Sequence, residues 1–176
     1  MKFFLKNRAR AGAVLAAVIL FSIVFGVWRS VAIQAGRVER EFTKEDEFGE
    51  SVSSTLEDLA YHTEAFVSAC QTVLGEDEDS AALRSAAQTL TEKADDPIAL
   101  EGAYTAVQRS AQALQSRLLV SGEYKDEARW AHMALESDLS ILRQYDDYNA
   151  AASRYNEVTA HFPASLFAKD TAVVFD

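Results

Sequence analysis

The chain has 176 residues, 49% of them hydrophobic, one cysteine and a net charge of −10, which suits a single domain plus an anchor. Residues 1–44 hold eight basic and two acidic residues (+6), and residues 45–176 nine basic and 25 acidic ones (−16). A domain this acidic excludes nucleic acid as a partner, and a lone Cys70 excludes an intramolecular disulfide framework.

Residues 1–10 form a basic flank with Lys2, Lys6, Arg8 and Arg10. Ala11 through Trp28 is an uninterrupted apolar run. Its 18 residues span about 27 Å as a helix, close to the roughly 30 Å of a bilayer core. Trp28 stands where an interfacial aromatic anchors such a helix, and Arg29 can snorkel. A cleaved secretory signal is the competing reading, with Ser30-Val31-Ala32 as the processing site. The run exceeds a signal core, and a bulky Trp-Arg pair intervenes, so a retained transmembrane helix is expected. Basic residues are equally many on the two sides. The N-terminal four crowd into ten residues, which favours a cytoplasmic N-terminus and a single-pass protein with its domain outside the cell membrane.

Residues 29–47 read as a juxtamembrane helical stalk that runs with little break into a first bundle helix. From Phe48 on, Val52, Leu56, Leu59, Thr63, Phe66, Cys70 and Val73 keep steps of three and four, one apolar stripe over about seven turns. Gly75 is the expected C-cap and Glu76–Asp79 a solvated loop. Ser80 is placed to cap a short helix carrying Leu83, Ala86, Ala87 and Leu90. Asp96-Pro97 restarts the chain with a cap residue and a first-position proline. A third helix carries Leu100, Tyr104, Val107, Ala111, Leu114 and Leu118, and Ser121-Gly122 turns the chain. A last helix is predicted from about Glu123 to His161, since Pro163 disfavours helix just before it. The expectation is all-α: an antiparallel four-helix bundle over residues 48–168, preceded by one N-terminal transmembrane helix and followed by a tail, 169–176. No cofactor is needed for it to fold.

Within the last helix, Tyr148-Asn149 and Tyr155-Asn156 lie seven residues apart, so both asparagines share a face. That face also carries Leu135, Leu139, Leu142 and Ala152, where core residues are expected. Asparagine is costly to bury unpaired, so the repeat predicts a specific hydrogen-bonded packing arrangement. Phe162-Pro163 and Leu166-Phe167-Ala168 follow. The segment YNAAASRYNEVTAHFPASLFA resembles the C-terminal signature of LemA family proteins, and that resemblance implies a membrane-anchored helical bundle. It is strongest over Leu135–Ala168, where Asp138 and Ile141 also fit and Tyr145 replaces an Arg. The family's Arg-Arg-x-Asp-Leu-Ile-Pro-Asn-Leu-type run has no counterpart, since Leu59–Phe66 holds neither Pro nor a basic pair. The chain reads as a divergent member.

Chemistry finds little support. His62, His132 and His161 stand in no metal-binding spacing with one another or with Cys70, and no Glu-x-x-His motif is present. The run Gly75–Ser80 lacks the central Gly and terminal Glu of an EF-hand, with Ala82 and Gln88 at those positions. Cys70 sits on an apolar stripe as a small hydrophobe. Neither a Gly-x-Ser-x-Gly elbow nor a phosphate-cradling loop occurs, so neither an enzyme nor a small-molecule substrate is expected. The aromatics Tyr145, Tyr148, Tyr155, Phe162 and Phe167 read as bracing for the last helix, with a recognition patch as the alternative. The tail, ending Val173-Val174-Phe175-Asp176, has three courses: docking back, binding a partner, or staying loose. The functional expectation is a non-catalytic scaffold or adaptor that meets other proteins at a bacterial envelope. The alternative is an extracytoplasmic ligand-sensing module.

Overall fold

The computed structural model describes residues 2–93, 96–168 and 170–176, with side chains from residue 11 onward. The basic side chains of the N-terminal flank therefore lie outside the described residues. Helix α1 (Lys2–Thr43) is unbroken. Its apolar part is uncovered, with Val14, Phe21 and Val24 all at least half exposed. Farther along, Val31, Val38 and Phe42 are buried. Steps of seven and four put these three on one face, and that face enters the core. One helix therefore carries both the candidate span and part of the domain.

Among the described residues six α-helices follow one another, so the four-helix bundle expected from the sequence is not what forms: α1, then α2 (Val52–Leu74), α3 (Glu78–Glu92), α4 (Glu101–Ser121), α5 (Asp126–Leu142) and α6 (Asp146–Thr159), with a 3₁₀ turn at Ala164–Leu166. Two breaks account for the difference. The stalk does not run into α2, because Asp46 Oδ1 accepts from the main-chain N–H of Phe48 (2.8 Å) and Glu50 (3.0 Å) and Gly49 takes a positive φ of 82°. Ser51 then caps α2 through a reciprocal capping box with Ser54. The long last helix breaks at Arg143–Tyr145 without glycine or proline. Asp146 and Asp147 occupy the first turn of α6, where acids suit the helix dipole. The break lets α5 pack on α2 while α6 packs on α1.

Two cap assignments also shift. Asp77 caps α3 and Ser80 answers it from the third position. α4 starts at Glu101, beyond Asp96-Pro97. It closes on Gly122 in the left-handed region at φ 76°, as a C-terminal glycine does.

Side-chain partners fix the axial order. α1 and α6 run antiparallel: the Phe42 and Tyr148 rings meet at 5.7 Å, while Trp28, Val31 and Ala35 share a hollow with Tyr155. α2 and α5 are antiparallel too, with Tyr145 against Thr55, Asp138 against His62 and His132 against Phe66. α4, about 32 Å long, packs on α3 and lightly on α2, and meets the α1–α6 pair through the segment before it and the C-terminal tail. Ile98, just before it, lines the Trp28 hollow, and Gln108 and Gln115 line a groove with His132. The module is thus elongated, with Trp28 and Pro97 at one end and the α2–α3 and α4–α5 turns at the other.

Candidate functional site

The Tyr-Asn repeat closes on the C-terminal segment. Asn156 Nδ2 donates to the Ala172 carbonyl and its Oδ1 accepts from the Ala172 N–H, both at 2.8 Å. Asn149 Oδ1 accepts from the Phe175 N–H at 2.9 Å. Seven helical residues advance about 10.5 Å and three extended residues about 10 Å, so asparagines at heptad spacing meet tail residues three apart. The tyrosines add to the clamp: Tyr148 Oη donates to the Val173 carbonyl at 3.0 Å and Tyr155 Oη to the Asp170 carbonyl at 3.5 Å. Burial pushes the Tyr148 phenol well above its usual range, so it stays a donor. Arg143 Nε donates to the Asp176 main-chain oxygen at 2.9 Å.

The tail is not only held by α6. The Val173 N–H donates to the Pro97 carbonyl at 3.2 Å, and the Thr171 hydroxyl bonds the Glu101 carboxylate. Ala172, Val173 and Phe175 are buried. The Phe175 ring stacks on Tyr148 (5.3 Å) and meets Tyr104 edge-on (4.9 Å). An aromatic row, Phe42–Tyr148–Phe175–Tyr104, therefore crosses from α1 through α6 and the tail to α4. Of the tail's three courses, docking back is the one taken, and it fills the seam between α6 and α4.

The asparagines pair with main chain and are half-buried. They share α6 with Ala152, but the Leu135–Leu142 face belongs to α5 and does not continue into theirs. Tyr145 braces the break through Thr55 Oγ1 at 3.1 Å. Phe162 does not brace anything: it is 80% exposed, beside a cis peptide to Pro163.

A second feature lies where α4 and α5 scarcely touch. A groove of about 800 Å³ opens between Gln108, Gln112 and Gln115 on one wall and His132, Met133 and Glu136 on the other. His132 is buried; its Nδ1 pairs with Tyr124 Oη at 2.9 Å. Its Nε2 is buried without a hydrogen bond, 3.7 Å from Glu136 Oε1. Burial lowers the His132 pKa from its ordinary 6.5, with Glu136 opposing. The unfolded chain therefore binds a proton near pH 6.5 that the folded chain takes up only at lower pH. This contribution to stability is whole above about 6.5 and declines as pH falls toward the folded value. Melting temperature is expected to drop between about pH 7.5 and about pH 5.5, and to drop less in His132→Gln. An equal drop in both proteins contradicts this assignment. His62 Nδ1 and Asp138 Oδ2 pair at 2.6 Å across α2 and α5. Burial raises the Asp138 pKa, an effect of opposite sign in the carboxylate range.

The remaining polar candidates are paired or buried within the fold. Arg117 bonds both Asp77 and Asp79, tying the acidic turn to α4. The Cys70 thiol is fully buried and pushed up to about 12 by burial and by Asp77, which makes it inert as a nucleophile at neutral pH. Among the described residues no group of three or more His, Cys, Asp or Glu is placed to hold a metal ion. Comparison of the chain with protein-family models, curated proteins and solved structures finds no match.

Proposed function

We propose that this protein is a single-pass, membrane-anchored scaffold or adaptor of a bacterial envelope, and a divergent member of the LemA family. The observation that carries the reading is the construction of α1. Its 18-residue window from Ala11 has a mean hydropathy of 2.4 and no residue buried in the domain, only Val27 near its end being partly covered, while Val31, Val38 and Phe42 of the same helix are core residues. No hinge separates span from module, so the helix fixes the orientation of the module relative to the span. The doubled Tyr-Asn and the Phe-Pro-x-x-Leu-Phe-Ala sequence support the family assignment, and the tail clamp gives those asparagines and tyrosines a physical task. A rigid helical body with an inert thiol and no metal-ligand cluster among its described residues suits holding partners rather than transforming substrates.

The test places the module relative to the membrane. A Cys70→Ala, Glu76→Cys variant puts one accessible thiol on the turn at the far end, since Glu76 is exposed. Labelling by a membrane-impermeant maleimide in intact cells is expected. Labelling only after permeabilisation puts the domain inside and removes the envelope-facing role. The α4–α5 groove favours ligand sensing as a second reading. A polar ligand there gives His132 Nε2 its missing partner, and suppression of the pH-linked loss of stability by that ligand is the mark of it.

A further inference from the structure

The turn after α6 is held on one side and bare on the other. Ala164 is buried and Phe167 half-buried, packed toward α1. Phe167 lines the same hollow as Trp28 and Val31. The residues between and before them point away: Phe162 is 80% exposed and Leu166 70%. Two large apolar side chains are thus presented to the outside by a turn whose Ala164 and Phe167 are packed on the core, at a position set by the α1–α6 register. Tyr148 faces Phe42 and Tyr155 faces the stretch from Trp28 to Ala35. The chain beyond Thr159 therefore reaches the level of Trp28, where the uncovered apolar part of α1 begins. Trp28 is itself 51% exposed, and Phe25, one turn deeper, 47%. Arg29, next to Trp28, and His161, next to Phe162, are both exposed.

We propose that the Phe162–Phe167 turn is a membrane-contact element whose Phe162 and Leu166 side chains enter the headgroup–acyl boundary beside Trp28. The chemistry is that of interfacial aromatic and aliphatic anchors, which leave water for the outer few ångströms of the acyl layer. The occupant is the lipid surface, because the patch continues the apolar surface of α1 and lies at its upper rim. The consequence is a second point of attachment. One helix alone leaves the module free to rotate about the span axis; a turn seated in the interface fixes which face of α4 and α5 looks along the membrane. The inference rests on the reading of residues 11–28 as a span.

The experiment uses the full chain in phosphatidylcholine vesicles. In one protein Trp28 and Trp130 are replaced by Phe and Phe162→Trp supplies the only indole; in a second, Leu166→Trp does so; in a third, Trp28→Phe leaves only Trp130, 70% exposed at the far end of the module. Both new sites are exposed, so neither change disturbs the core. Vesicles are made with and without lipid brominated near the top of the acyl chain. The indoles at 162 and 166 are expected to emit at shorter wavelength than Trp130 and to lose at least half of their intensity to bromine, while Trp130 is unquenched. Co-flotation with vesicles but water-like, unquenched emission from both sites overturns the membrane contact and leaves the span standing. Failure to float with the vesicles removes the span and the contact together.

Discussion

Phe175→Ala is expected to destabilise the module by about 3 kcal/mol, the low end of the range for removing a buried phenylalanine. Phe175 is 3% exposed and is one of the two inner members of the aromatic row from Phe42 to Tyr104. It joins two bodies that otherwise meet sparingly: α6 packs on α1, α5 on α2, and α1 touches α2 little. Loss of the ring opens the seam between them. Asn156→Ala acts on the same seam with a smaller effect, about 1–3 kcal/mol, because both main-chain groups of Ala172 lose their partner. Water reaches part of that site, since Asn156 is only half-buried, so its loss is expected below that of Phe175. Thermal melts of the full chain in detergent, followed by hydrogen exchange, separate the bodies. Amides of α6 and of residues 31–43 are expected to exchange faster in Phe175→Ala, while α2 and α3 keep their protection. If both variants melt like the wild type, the tail is not structural. Loss of a captured partner by Asn156→Ala without loss of stability makes the Tyr-Asn repeat a recognition surface instead.

Much of the helical content was legible in the sequence. The stripe from Val52 to Cys70 appears as the buried face of α2, but its two ends do not belong to it: Phe48, in the turn before α2, is 79% exposed and Val73 43%. Leu83, Ala86, Ala87 and Leu90 face inward from α3, and Tyr104 to Leu118 from α4. Two breaks were not legible as such. At Arg143–Tyr145 there is neither glycine nor proline, and the available signal was the Asp146-Asp147 pair, a helix-start composition inside an apparently continuous pattern. At residues 44–51, Asp46, Gly49 and Ser51 carried turn chemistry in a stretch otherwise rich in helix formers. These positions are decided by tertiary packing: the second half of each long helix has a different partner from the first.

The asparagines show the same limit from another side. Their heptad spacing identified a shared face and a need for hydrogen bonds, but what satisfies them is main chain from residues 16 and 26 positions away. Side-chain periodicity along one helix does not encode a partner that arrives as an irregular segment. The tail's own signal was the apolar set Ala172, Val173 and Phe175 between two acids. The groove beside His132 left no periodic trace, since it arises from two helices that fail to pack.

Retention of residues 11–28 is the second large effect. The competing processing site after Ala32 lies inside α1, one residue beyond the buried Val31 and one turn before the half-buried Ala35. Cleavage there severs the helix within its contact with α6, so a processed chain starts with part of its packed surface missing. No residue of the apolar stretch is buried within the protein, and a helix of about 18 such residues is better accommodated by lipid than by water. The decisive measurement is alkaline carbonate extraction of membranes from cells producing the full chain, with the intact mass read from the pellet. The chain is expected in the pellet with its N-terminal segment attached, and a variant lacking residues 11–28 in the supernatant. Full-length chain in the supernatant, or a mature protein beginning at Ile33, contradicts the membrane-anchored module.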